Sequence, residues 1–153
     1  CIFDTDIDTW DTFTLTVSYD GGAIMSYSLN ASVPYEGYRL AVNGTEGRLE
    51  TKAIHCGKDV SRSPFPVHYP QNIKYFPMFD GMQTIEVINK GGGHGGGDPI
   101  LYNEIFTGRD KHDRTKRFAG SLDGAMSVLV GVAARESLKS GKPIEINDLL
   151  SNP

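Results

Sequence analysis

Residues 12–19 run Thr-Phe-Thr-Leu-Thr-Val-Ser-Tyr, a strict alternation with Phe13, Leu15, Val17 and Tyr19 on one side and Thr12, Thr14, Thr16 and Ser18 on the other. Period two with one apolar face is a half-buried strand, and it fits no helix. Asp20-Gly21-Gly22 follows, residues that tolerate positive φ and let the chain turn back. Alternation then resumes, with Ala23, Met25, Tyr27 and Leu29 in register. The first thirty residues therefore predict an antiparallel hairpin.

The same signature recurs downstream. Residues 38–42 and 47–53 predict a second strand pair, joined by the glycine-bearing turn Asn43-Gly44-Thr45-Glu46-Gly47. Residues 54–71 contain Pro64, Pro66 and Pro70 without periodicity and read as a long loop. Residues 83–88 are β-branched and bounded by glycines, a further strand. Short connections make the sheet mainly antiparallel.

Beyond residue 97 the period changes. Asp98-Pro99 predicts a helix N-cap followed by proline at the first helical position, with the helix running to about Phe106 and stopping at Gly108. Residues 109–120 are polar and charged, a solvated connection. Ser121 is then expected to cap a longer helix whose stripe is Leu122, Ala125, Met126, Leu129, Val130 and Ala133, ended by Gly141 and Pro143. The tail from Pro143 to Leu150 predicts a short strand or a docked extension. Strands first and helices later predict an α+β fold, a predominantly antiparallel open sheet with helices packed on one face.

A chain of 153 residues is one ordinary domain, long enough to bury roughly 70% of the surface its unfolded chain exposes. We expect residues 1–153 to form a single domain, and the abrupt Cys1-Ile2-Phe3-Asp4 start is read as that of a fragment of a longer protein. With 39% hydrophobic and 22% charged residues, disorder is disfavoured. A net charge of −4 without a basic cluster argues against nucleic acid as partner. No stretch approaches the ~18 apolar residues of a membrane span, so no membrane partner is expected. Absence of a signal-peptide pattern places the expected location in the cytoplasm.

The chemistry-bearing feature is Gly91-Gly92-Gly93-His94-Gly95-Gly96-Gly97-Asp98, between a predicted strand and a predicted helix. Residues 91–96 satisfy the dinucleotide pattern G-x-G-x-x-G. The context argues against that function: Asp98-Pro99 delays the helix, and a charged loop follows it instead of a second parallel strand. Ordering each glycine costs roughly 0.5–1 kcal/mol more than alanine, so the run needs a reason. Either it is a flexible connection with an incidental histidine, or it is a pocket floor where backbone approaches a ligand, with His94 and Asp98 as the polar groups.

Other candidates are weaker. His55, Cys56, His68 and His112 lack the tight spacing of a zinc motif, so no metal is expected, and Cys1 with Cys56 is too few for a disulfide scaffold. Arg109, Lys111, Arg114, Lys116 and Arg117 alternate with acids and read as a solvated loop. Asn30-Ala31-Ser32 and Asn43-Gly44-Thr45 match glycosylation acceptors, a pattern common by chance. Tyr35, Glu36 and Tyr38 fit either a sugar site or an exposed sheet edge, and the edge is the preferred reading.

The order of these motifs resembles a known family. Val33-Pro34-Tyr35-Glu36-Gly37-Tyr38-Arg39 and then Asn43-Gly44-Thr45-Glu46-Gly47-Arg48-Leu49-Glu50 look like the sheet of the C-terminal domain of Gfo/Idh/MocA oxidoreductases. The run from Gly92 to Asp98 is similar to the glycine–histidine segment of sugar-acting members, including the related NAD-dependent glycosidases. The stretches 119–127, 133–137 and 141–144 are similar to the family's final helix. The family's Rossmann domain, its Glu-Lys-Pro segment and its catalytic Asp and His residues have no counterpart here. The resemblance thus implies the substrate-binding and oligomerisation half of an NAD(P)-dependent oxidoreductase acting on a sugar or cyclitol derivative, partnered by a Rossmann domain outside this chain and assembled as a dimer or larger homo-oligomer.

In that reading His94 hydrogen-bonds substrate hydroxyls, since a neutral imidazole offers one donor and one acceptor, and Asp98 orients them or His94. No catalytic or cofactor-binding residue is assigned, and the chain by itself is expected to be inactive and not to bind NAD(P). Two other functions remain open: a non-catalytic carbohydrate-binding or assembly module, and part of an NAD-dependent glycosidase, where His94 would sit closer to the chemistry.

Overall fold

In the computed structural model, residues 4–55, 71–88, 93–107 and 119–151 are described. They contain six strands and three helices, β1 (Thr12–Ser18), β2 (Ile24–Asn30), β3 (Glu36–Gly44), β4 (Gly47–His55), β5 (Asn72–Pro77), β6 (Gln83–Glu86), α1 (Gly97–Thr107), α2 (Ser121–Ser140) and α3 (Ile146–Ser151). Every strand pairing is antiparallel. This is an α+β fold. The chain divides into two compact units, residues 1–31 with 98–153, and residues 32–97.

In the first unit, β1 and β2 form the expected hairpin. Val17 lies opposite Met25, Leu15 opposite Tyr27 and Phe13 opposite Leu29, so the two apolar sets share a face as the alternation requires. Phe13, Leu15 and Val17 are half-buried while the threonines between them are exposed. The Phe13 and Tyr27 rings meet diagonally with centroids 6.0 Å apart. Gly22 makes the turn at φ 82°, and its N–H donates to the Tyr19 carbonyl at 2.8 Å.

The long helix α2 starts at Ser121, with Gly120 as its N-cap in place of the expected Ser121. Glycine has no capping side chain, so the terminus is held from inside: the Gly120 N–H donates to Asp123 Oδ2 at 2.7 Å. Gly141 closes the other end in the left-handed region (φ 67°), its N–H donating to the Ser137 carbonyl. The apolar stripe is buried only in the second half of the helix, where Ala133 is the buried residue, and Leu122 is 68% exposed. The tail forms the short helix α3, which contacts α2, so of the two expected forms it is the docked extension and not the strand.

The second unit is a four-stranded sheet ordered β3-β4-β5-β6. Strand β5 is absent from the sequence expectation, and it pairs with both β4 and β6. Directly opposed residues share a face. Tyr38, Leu40 and Val42 therefore lie on one side with Ala53, Thr51 and Leu49 of β4, and that side continues through Ile73 and Tyr75 to Ile85. The opposite side carries Arg39, Asn43, Arg48, Glu50, Lys52 and Lys74. Ala53 is the buried apolar side chain of this sheet among the described residues. The β3–β4 hairpin turns through Thr45 and Glu46 alone, tighter than the five-residue turn expected.

Candidate functional site

Strand β6 ends at Glu86, and after the intervening residues the chain enters a single 3₁₀ turn, Gly93–Gly96, that runs into α1. The turn belongs to the second unit, while Asp98 and the rest of α1 belong to the first. Helix α1 begins at Gly97, so Asp98 sits inside its first turn instead of capping it. The shift has a simple origin: glycines 96 and 97 permit the backbone to coil before the proline, and Gly96 does so at φ 93°. Asp98 remains where a carboxylate is favourable, next to the exposed N–H groups and positive end of the helix.

Among the described residues His94 is the one non-glycine with positive φ, at 51°. That region is uncommon for a residue with a Cβ, though histidine is enriched there several-fold, and such conformations cluster at ligand-binding positions. Its side chain is exposed. Two polar groups thus occupy consecutive elements, an imidazole on a strained turn and a half-buried carboxylate at a helix start. The strain is the signal that sequence reading missed, because the glycines flanking His94 advertise backbone freedom without saying which residue uses it.

The other candidates separate. Tyr38 and Glu36 lie on β3, which is an edge strand of the four-stranded sheet among the described residues, in agreement with the edge reading. Gln71 Nε2 donates to the Tyr38 hydroxyl at 3.0 Å, and the Tyr38 ring lies 6.2 Å from the ring of His55. Cys1, Cys56, His68, His112 and the basic residues from Arg109 to Arg117 lie outside the described residues. Within the described residues, no three His, Cys, Asp or Glu side chains gather as metal ligands. Asn43 accepts from Arg48 Nη1 at 2.7 Å.

Among the described residues both sheets are antiparallel, so the 3₁₀ turn at His94 is not set in a parallel strand–helix–strand unit of the kind that places a pyrophosphate on a helix N-terminus. No helix among them is long and apolar enough to cross a membrane.

The profile of the oxidoreductase family, C-terminal alpha/beta domain, matches residues 5–146. The chain belongs to this family. The match confirms the Gfo/Idh/MocA resemblance and covers both units of the C-terminal domain. A curated relative from Bacillus subtilis (strain 168), named "Putative oxidoreductase YteT", is 47% identical over 150 residues, which is 97% of this chain. The chain spans 34% of that relative's length. No solved structure matches it at a significant level.

Proposed function

We propose that this chain is the substrate-side and assembly domain of an NAD(P)-dependent oxidoreductase acting on a sugar or cyclitol derivative. The observation that carries the reading is His94: a family member places a polar, exposed imidazole at a backbone conformation that costs energy, between glycines that cannot pack. A binding residue gives that strain a purpose. His94 presents a donor and an acceptor to a polyol, and the Asp98 carboxylate accepts from a substrate hydroxyl or orients the imidazole. The nicotinamide cofactor belongs to the part of the protein outside this chain, and the oxidation or reduction itself is assigned there. As a component of a dehydrogenase of small polar substrates, the protein is assigned to the cytoplasm.

The assembly role is supported by the apolar side of the four-stranded sheet. Tyr38, Leu40 and Val42 on β3 are each about half exposed, at 47%, 54% and 50%. A contiguous apolar strip of this kind marks an interaction surface. Two-fold pairing of identical sheets is the commonest closed solution.

The activity is tested on the intact protein with NAD and NADP against a panel of sugars and cyclitols, following nicotinamide reduction by near-ultraviolet absorbance. Turnover of a sugar or cyclitol is expected. Turnover restricted to hydrolysis of glycosides would instead assign the protein to the glycosidase branch, and failure to turn over while still binding sugar would make it a carbohydrate-binding module.

A further inference from the structure

On the polar side of the four-stranded sheet lies a concavity of about 440 Å³, lined chiefly by Arg39, Arg48, Glu50, Lys52, Asn72 and Lys74. Four cations and one carboxylate give the site a local charge of +3, in a chain whose net charge is −4. The arrangement follows from strand register. Arg39 lies directly opposite Lys52, and Glu50 directly opposite Lys74. Adjacent strands are ~4.8 Å apart, so the charges of Arg39 on β3 and Lys74 on β5 issue from strands roughly 10 Å apart and flank the carboxylate between them.

That carboxylate is already engaged. Arg48 Nε donates to Glu50 Oε1 at 2.6 Å, and the Arg48 guanidinium also donates to Asn43. Among the described residues, Arg39 and Lys74 have no ion-pair partner. With the nearby acid held by Arg48, a concave surface that leaves Arg39 and Lys74 without an ion-pair partner among the described residues is suited to receive negative charge from outside.

We infer that this concavity binds a small polyanion, a ligand carrying two or more phosphate or carboxylate groups, held mainly between Arg39 and Lys74. Its opening on the sheet face is separate from the His94 turn in the sequence, and it requires no residue of that turn. An arginine on one side supplies a planar fork for an oxyanion, and a lysine on the other supplies a mobile point charge. Asn72 adds a neutral amide to the lining.

The test uses the intact protein, with inorganic pyrophosphate as the phosphate probe, citrate as the carboxylate probe, and sodium chloride at matched ionic strength as control. Calorimetric titration and thermal melting are both read. At least one probe should bind saturably and raise the melting temperature where chloride does not, because a ligand specific to the folded state stabilises it by mass action. Which probe binds identifies the anionic group. Arg39→Gln with Lys74→Gln should weaken that binding at least tenfold, whereas Lys139→Gln with Lys142→Gln, neither of which lines the concavity, should leave it unchanged. If the double variant melts too low to titrate, Lys74→Gln alone should still weaken binding about threefold, since Lys74 is exposed on its strand. Binding that is matched by chloride, or that survives removal of Arg39 and Lys74, overturns the proposal, as does failure of both probes to bind.

Discussion

The Gly47 backbone lies against the Phe76 carbonyl so closely that a Cβ at position 47 would overlap its oxygen. Gly47 opens β4 opposite Pro77, at φ 153°, so it combines a conformation disfavoured for other residues with a contact that only glycine allows. The β3–β4 turn and the end of β5 are joined through this point: the Met78 N–H donates to the Glu46 carbonyl at 3.0 Å. Gly47→Ala should therefore lower stability by about 1–3 kcal/mol, from backbone strain plus the displaced strand. Denaturant unfolding reads this directly, and an unchanged midpoint would mean that β5 moves aside freely.

Glycine in α2 predicts the opposite sign. Gly131 is an exposed helix-interior residue with no atom within 4 Å of a Cβ placed there. Gly131→Ala should raise stability by roughly 0.5–1 kcal/mol, through a lower entropy of the unfolded chain. Loss of stability would show that this face of α2 is covered in solution.

Near the end of α2, Lys139 Nζ and Arg135 Nε donate to Glu136 Oε1 at 3.1 and 3.2 Å. The Lys139 hydrogen bond is the main cause that holds the Glu136 carboxyl below its ordinary 4.5, partly opposed by desolvation. A lowered carboxyl stabilises the folded state above the ordinary value, and that contribution disappears as pH falls through the lowered one. Carbon-detected titration of Glu136 should give a midpoint below 4.5, moving back toward it in Lys139→Ala. A midpoint indifferent to Lys139 would mean that the pair does not persist in water.

Much of this architecture is legible in residue order. Strict alternation through Phe13, Leu15 and Val17 is a period that only a strand satisfies, and Gly141 beside Pro143 stops a helix wherever it occurs. What escaped reading has physical causes too. β5, Asn-Ile-Lys-Tyr-Phe-Pro, places Ile73 and Tyr75 on the apolar side but Phe76 on the other, so its alternation breaks, and proline ends it. α3 is six residues long, too short for a helical period to show. At the candidate site, residue types named His94 and Asp98, but the left-handed backbone at His94 is a property of the folded turn.

Assembly is tested at the apolar side of the sheet. The intact protein should sediment as a dimer or larger oligomer, and Leu40→Asp, at a half-exposed position of β3, should shift it toward monomer. An unaltered sedimentation coefficient would place the subunit contact elsewhere.

The 153-residue chain titrated with NAD or NADP by calorimetry should show no binding, because its glycine run leads from an antiparallel sheet. A micromolar dissociation constant would mean that the turn at His94 serves a nucleotide.

The central claim is that His94 tolerates backbone strain in order to meet substrate. It is tested most directly by kcat/KM and melting temperature of the intact protein carrying His94→Gly, since glycine accepts φ 51° without strain and removes only the imidazole. The account predicts a catalytic efficiency lower by roughly 5- to 150-fold, the value of about 1–3 kcal/mol for a lost substrate hydrogen bond, with a melting temperature equal to or above wild type. Full efficiency in the variant, or a loss that appears only together with a lower melting temperature, would contradict it.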